Sequence, residues 1–362
     1  MNRFSILLVL YFVSACTSTP RSENEEFYSV DDFDQVEKVD THVHIRTERD
    51  AFVEQARKDN FKLVTIVVDH SDGMQDVREQ FRYGILQSNE HPDEIACVTA
   101  FSAKEWDEPD WAQQSLQWLD SCFEAGAIGV KVWKNIGMVQ RDQEGELVMV
   151  DDPKLDTIFT TLANQEVPVV GHLGEPKNCW LPVEEMTTNN DKNYFTNNPQ
   201  YHMYQHPEMP SYEEQVAARD RMLEKNPEMT FIGAHVGSLE WSVDELAKRL
   251  DQFPKMSVDL AARMGQIFYQ TQENREKVRD FFINYQDRLI YATDMGDDGD
   301  GSKEALQQGM HDTWLRDWKY FVTDETMTSD LIDGEFQGLQ LPREVVDKIY
   351  RENAQTWLGI FQ

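Results

Sequence analysis

Histidine and aspartate side chains stand at the ends of short apolar runs spread over nearly the whole chain. His42 and His44 lie in Val39-Asp40-Thr41-His42-Val43-His44-Ile45, and His172 closes Val169-Val170-Gly171. His235 closes Phe231-Ile232-Gly233-Ala234, and Asp294 closes Leu289-Ile290-Tyr291-Ala292-Thr293. Polar residues that finish separate apolar strands usually converge in space, and imidazoles converging with a carboxylate are what a hydrolytic metal ion requires. Residues two apart in an extended strand face the same side, so His42 and His44 can present both rings to one point. Each histidine taken alone reads better as a packing residue. The joint pattern reverses that reading.

Lys131 lies in Gly129-Val130-Lys131-Val132-Trp133-Lys134, where a lysine is costly to bury without a partner. Strand parity adds weaker rim candidates: His70 after the second run, Trp133 on the same face as Lys131, and Arg263 after the seventh run. A guanidinium there would clamp a carboxylate, although loop packing explains each of the three equally well. Asp40 reads either as an acceptor behind an imidazole or as a backbone anchor. Other chemistry is thinly represented. No glycine-rich phosphate loop follows a strand, there is no Gly-x-Ser-x-Gly elbow, and Gly296-Asp297-Asp298-Gly299-Asp300-Gly301 lacks calcium-loop spacing.

The elements that must position these residues are strand-length runs near 39–44, 63–68, 95–101, 128–133, 167–172, 230–236, 256–261 and 289–292. They are rich in Val and Ile without strict alternation, as expected of strands covered on both faces. Helical spacing of apolar residues falls between them, over 48–60, 74–88, 111–125, 154–165, 212–226, 243–253 and 275–285. Ser211-Tyr212-Glu213-Glu214 and Ser242-Val243-Asp244-Glu245 fit capping boxes. Eight strands alternating with helices predict an α/β fold, a closed (β/α)₈ TIM barrel, with a doubly wound open sheet as the alternative. Barrel enzymes place their chemistry at the C-terminal ends of the strands, where all five opening residues fall. A long segment after the fifth strand, 175–210, contains Trp180, Tyr194, Phe195, Tyr201, His202, Tyr204 and His206 and is expected to form an ordered aromatic lid, with Tyr201 as a substrate contact.

At this point the chain resembles the amidohydrolase superfamily, most closely its amidohydrolase-related branch of metal-dependent hydrolases and decarboxylases. The resemblance covers about residue 37 to the C-terminus. It rests on Val39-Asp40-Thr41-His42-Val43-His44, on His172, His235 and Asp294 in the fifth, sixth and eighth strands, and on the tail Leu341-Pro342-Arg343-Glu344 through Ile349-Tyr350, Asn353-Ala354 and Leu358-Gly359, which looks like the closing helical segment. It implies that His42, His44, His172 and Asp294 hold a divalent metal, most often zinc. His235 would be an acid or base beside the metal or a ligand of a second ion. Lys131 resembles the position where some members carry a carbamylated lysine bridging two ions. One ion is the commoner arrangement in this branch, with an unmodified Lys131 binding a substrate carboxylate or steering the water nucleophile. The expected activity is attack of metal-activated water on a lactone, ester or amide carbonyl, with Asp294 as base and His235 stabilising or protonating the intermediate. The alternatives are a non-oxidative decarboxylase of an unsaturated or aromatic carboxylic acid and, from another class, a non-catalytic sugar- or metal-binding lipoprotein.

Lys+Arg 34 against Asp+Glu 66 gives the 362 residues a net charge of -32, which argues against nucleic acid and anionic membrane as partners of the folded part. A small-molecule substrate is the expected partner, and self-association into a homo-oligomer stays open. Met1-Asn2-Arg3, the apolar run 4–13 and Ser14-Ala15-Cys16 read as a secretory signal. Val13-Ser14-Ala15-Cys16 resembles the bacterial lipobox, which implies acylation of Cys16 and attachment to the cell envelope. Residues 1–16 are therefore expected to be signal, 17–35 a flexible acidic tether and 36–362 the barrel. Cys97, Cys122 and Cys179 read as buried small hydrophobes.

Overall fold

Eight parallel strands succeed one another around a curled sheet in the computed structural model, which describes residues 26–362. They are β1 (Lys38–Ile45), β2 (Phe61–Ile66), β3 (Ile95–Ala100), β4 (Val130–Val132), β5 (Val169–Gly171), β6 (Phe231–Gly233), β7 (Met256–Asp259) and β8 (Leu289–Ile290). A ninth, β9 (Met295–Asp297), pairs in parallel with β1, giving the order β8-β7-β6-β5-β4-β3-β2-β1-β9. The backbone N–H of Thr41 donates to Tyr291 O at 3.1 Å, and that of Asp294 donates to His42 O at 2.8 Å. These bonds continue the ladder from β8 into β9, so the two are halves of one interrupted strand. The sheet is TIM-barrel-like, and its sequential order leaves no switch point of the kind an open doubly wound sheet has.

Helices follow the strands on the outside, at Ala51–Lys58, Met74–Glu90, Trp111–Glu124, Pro153–Asn164, Tyr212–Lys225, Val243–Gln252, Met264–Asn284 and Lys303–Val322. The helix expected over 275–285 starts eleven residues earlier, at Met264, and is broken in φ/ψ only at Asn274. Ile267, Phe268 and Thr271 are buried on that earlier half, which packing stabilises beyond its local pattern. The Ser211–Glu214 capping box is complete, with the Ser211 N–H donating to Glu214 Oε2 at 2.8 Å and the Glu214 N–H to Ser211 Oγ at 3.2 Å. At Ser242 only half of the box forms, because the Glu245 carboxylate turns to Lys248 and Arg249.

The barrel interior is lined by Val39, Val64, Ile66, Ala96, Val98, Val170, Ile232 and Ile290 and is plugged by Ala354, Leu358 and Ile360 from the C-terminal helical segment. Asn353 ties that segment down, its Nδ2 donating to Gln286 O at 2.6 Å and Leu289 O at 2.7 Å. The loop after Asp297 is filled by Arg49, whose Nε donates to Asp297 Oδ2 at 2.8 Å and whose Nη2 donates to Asp300 O at 3.0 Å. A guanidinium thus occupies the acidic turn that lacked calcium-loop spacing.

The expected signal, with Cys16, and residues 17–25 lie outside the described residues. The rest of the expected tether departs from expectation, because residues 27–36 pack on the barrel. Tyr28 Oη donates to Asp347 Oδ1 at 2.9 Å, Trp318 Nε1 donates to Ser29 O at 3.0 Å, and Phe33 is buried. Lys38, wholly buried, donates through Nζ to Phe33 O and, at 2.7 Å, to Val36 O, with its ammonium 4.6 Å from the Phe33 ring centroid and 4.7 Å from that of Phe61. Two aromatic anchors, Tyr28 and Phe33, in a mostly polar stretch supply the burial that holds it.

Candidate active site

All five opening residues line one cavity of about 330 Å³ at the C-terminal mouth of the barrel, together with Lys131, Trp133 and His70. Three of the four imidazoles have their Nδ1 atoms already bonded. His42 Nδ1 donates to Asp259 Oδ2 at 2.8 Å, His44 Nδ1 to Ile66 O at 2.7 Å, and His235 Nδ1 to Ala261 O at 2.9 Å. An N–H on Nδ1 leaves a lone pair on Nε2, so these rings turn their acceptor side to the mouth. There the acceptors crowd together. Asp294 Oδ1 lies 3.0 Å from His44 Nε2 and 3.4 Å from His42 Nε2. His172 Nε2 is buried with no partner, and its ring centroid is 4.0 Å from that of His235.

Lone pairs facing lone pairs in a buried site call for a cation between them. His42, His235 and Asp294 offer one ligand atom each, all within 4.8 Å of one another. His44 and His172 flank this trio, so the rings presented by β1, β5 and β6 meet the carboxylate that follows β8. Nitrogen donors with one carboxylate fit a divalent metal. Burial lowers the His172 and His235 rings well below the usual imidazole range, and neighbouring cationic groups add to the effect. His42 is lowered by burial and by Lys131. Neutral rings are the form that binds metal. Asp294 finds no charged partner among these neutral rings, so its carboxylate adds to the crowd of acceptors that a cation would satisfy.

Local backbone strain fixes this geometry. His235, Val236, Gly237 and Ser238 all have positive φ, near +60°, and form a left-handed turn directly after β6. Such a run is unfavourable for L-residues, and most of all for the branched Val236. Asp259 and Arg219 hold it: Asp259 Oδ1 accepts the His235 N–H at 2.7 Å, and Arg219 Nη1 donates to Gly237 O. Ser238 Oγ donates to Leu173 O at 3.1 Å, linking the turn to the strand end that carries His172. Asp294 also has φ of 69°.

Asp259 is the functional residue that the sequence reading missed. It closes β7, orients the His42 ring and fixes the His235 backbone, yet within Met256-Ser257-Val258-Asp259-Leu260-Ala261 nothing but strand parity marks it. Asp40 proves to be a backbone anchor rather than an acceptor behind an imidazole. Its carboxylate takes the Thr293 N–H at 3.1 Å, Thr293 Oγ1 at 2.6 Å and Trp314 Nε1 at 2.9 Å, and it meets His42 only through the main chain at 3.3 Å.

Lys131 is buried with Nζ 3.3 Å from His42 Nε2, and burial brings its ammonium down to about 8. Trp133 stands between the His70 and His172 rings, 5.3 and 6.5 Å from their centroids. Arg263 lines an adjoining cavity of about 380 Å³ with His172, His235, Asp294 and the lid residue Tyr194, and its Nε is buried without a partner. Lys134 pairs with Glu175 and faces both cavities. Tyr201 lies farther out on the lid, which is built from short turns and a helix at Asn189–Asn197.

A parallel barrel whose strand ends gather four imidazoles and an aspartate is an arrangement of the amidohydrolase type, with a candidate metal site at its mouth. The sequence profile of the amidohydrolase family (Amidohydro_2) matches residues 39–360, and the chain belongs to that family. Solved structures agree in fold. 2,6-Dihydroxybenzoate decarboxylase from Rhizobium superposes with a TM-score of 0.53 at 12% identity, over 89% of this chain and 98% of that one. A putative amidohydrolase from Staphylococcus aureus superposes with a TM-score of 0.51 at 13% identity, over 90% and 100% of the two chains. No curated protein matches the sequence.

Proposed function

We propose that the protein is a divalent-metal-dependent non-oxidative decarboxylase of an unsaturated or aromatic carboxylic acid. The observation that carries this reading is a pair of cationic groups set around His42, His172, His235 and Asp294 in a chain of net charge -32: Lys131 lines the inner cavity and Arg263 the adjoining one, while Lys134 between them is already paired with Glu175. The fold shared with 2,6-dihydroxybenzoate decarboxylase supports it further. Zinc is the ion we assign, because it suits nitrogen donors with one carboxylate. When bound, it supplies positive charge to a substrate oxygen on which negative charge builds.

Loss of CO₂ leaves the electron pair of the broken C–C bond on the substrate carbon, which must take up a proton. Lys131 is the proton source nearest the cluster, with an ammonium brought down to about 8. Asp294, with 30% of its side chain exposed, faces solvent and returns the proton to Lys131. Arg263 holds the substrate in register through its unpartnered Nε.

A second reading, hydrolysis of a lactone, ester or amide, is favoured by one observation. Asp294 lies 3.0 Å from His44 Nε2 with 30% of its side chain exposed, a position from which a carboxylate can accept a proton from attacking water. One experiment separates the two. With zinc-loaded protein, carboxyl-¹³C aromatic and unsaturated acids should release ¹³CO₂, with no ¹⁸O from labelled water entering the remaining product. Incorporation of ¹⁸O into product from lactone or ester substrates, without CO₂ release, would establish hydrolysis instead. Binding without turnover of either class would leave only the binding lipoprotein. We further propose acylation at Cys16 and attachment to the bacterial envelope, on the strength of the apolar run 4–13 before Val13-Ser14-Ala15-Cys16.

A further inference from the structure

A further space lies past Lys134 from the imidazoles. It is a second cavity of about 190 Å³, whose apolar wall is Trp133, Met138, Val139, Tyr201, Met203 and Met209 and whose lining also includes Gln200, His206 and Glu208. Trp133 and Lys134 line both spaces, so the two adjoin across these side chains. One wall is the loop after β4 and the other is the lid. Both are firmly built. Gln215 Nε2 donates to Gly137 O at 2.6 Å, and the Gly137 N–H donates to Val148 O at 2.7 Å. Gly137 has φ of 100°, and any Cβ there would lie 2.6 Å from Gln215 Oε1, so this tight turn requires glycine. On the lid, Cys179 Sγ donates to Tyr201 O at 3.0 Å and accepts from the Met203 N–H at 3.5 Å, above a small core of Cys179, Met186, Phe195 and Met203.

A preformed space whose mouth leaves Val139 49% and Tyr201 44% exposed presents apolar surface to water without an intramolecular cover. Three methionine side chains give it adaptable walls. The Lys134–Glu175 ion pair marks the change of polarity, with metal-site acceptors on one side and thioethers and aromatic rings on the other. Glu175 neutralises Lys134 there, so the outer space has little attraction for a second anion.

We infer that this outer cavity takes the apolar arm of the substrate, a single aryl ring or a branched alkyl group of that size, attached to the carboxylated centre held over the imidazoles. The inference deepens the decarboxylase reading and rests on it for the carboxylated centre. Size supports one ring, because an apolar cavity of about 150 Å³ takes up benzene. The substrate is then an amphipathic acid, sorted by polarity across Lys134.

The test uses zinc-loaded full-length protein labelled with ¹³C-methyl methionine, probed with acetate, 4-phenylbutanoate and uncharged benzyl alcohol. Both phenyl probes should move the methyl signals of Met138, Met203 and Met209, assigned through single Met→Leu variants, and acetate should not. Met209→Trp fills the cavity, and Val139→Trp narrows its mouth from an exposed position that does not endanger folding. Each should weaken 4-phenylbutanoate binding by about tenfold while metal content stays the same. Methyl signals unmoved by both phenyl probes, or phenyl binding equal in wild type and both variants, would overturn the inference. If benzyl alcohol moves the three signals but neither acid binds, the arm stands and the carboxylic-acid reading of the inner site fails.

Discussion

At the scale of single residues, the site is defined by where protons already are. His42, His44 and His235 have their Nδ1 atoms bonded to Asp259, Ile66 O and Ala261 O, so each offers only an Nε2 lone pair to the mouth. Asp259 does two of these tasks at once, because its second oxygen holds the His235 backbone. Replacing it with Asn keeps the shape but weakens the bond that orients His42. Zinc affinity of Asp259→Asn, measured by competition with a chromogenic chelator, should fall by about 10- to 100-fold. Unchanged affinity would mean that Asp259 serves the fold alone. Asp294 differs in kind, since it is partly exposed and faces both His44 and His42. At saturating zinc, turnover by Asp294→Asn should fall by about 10²- to 10⁴-fold, the range for loss of a proton-transfer group. Retention of activity within a few-fold of wild type would remove it from the chemistry.

At the scale of elements, the strands were legible because burial on both faces forces continuous apolar runs, and all eight runs became strands. Their ends were less legible. β4 and β5 are three residues each, since a strand lasts only as long as its ladder partners. β9 could not be read at all: Met295-Gly296-Asp297 has little strand propensity and extends only because β1 lies beside it. The left-handed turn at His235 was equally hidden, since His-Val carries no turn signal and the strain is held by partners from β7 and the helix Tyr212–Lys225. The packing of the N-terminal segment is not legible in the sequence because its composition is largely polar while its few aromatic residues do the anchoring. Lys38 makes that segment testable. Burial lowers its ammonium to about 7 from 10.5. Between those values the unfolded chain binds the proton and the folded one does not, so the contribution of Lys38 to stability grows as pH rises from about 7 and is lost as pH falls through it. Urea midpoints at pH 6.5 and 9.5 should therefore show a gain with pH in wild type that is smaller in Lys38→Met. Equal gains in the two proteins would refute the assignment.

At the scale of the whole molecule, topology sets the candidate site at one end of the barrel and the entry of the chain at the other. Lys131, Lys134 and Arg263 cluster at the C-terminal ends of the strands within an otherwise acidic chain. The chain enters the barrel at Lys38, the opposite end of β1, where residues 27–36 are held by Trp318, Asp347 and Lys38. An acyl group on Cys16 would thus attach the protein by the end away from its mouth and leave the mouth facing the solution. The net charge of -32 gives the folded body no attraction of its own to anionic lipid, and no helix among the described residues is long and apolar enough to cross a membrane. Under the acylation proposed at Cys16, anchorage would depend on the acyl group and turnover would not. Cys16→Ser should move the protein from the membrane fraction to the soluble fraction of the envelope, while turnover per molecule on a water-soluble acid stays within about twofold of wild type, as expected for a change remote from the site. Retention of the variant in washed membranes would show a second means of attachment, and a large loss of turnover would show that the two ends are coupled.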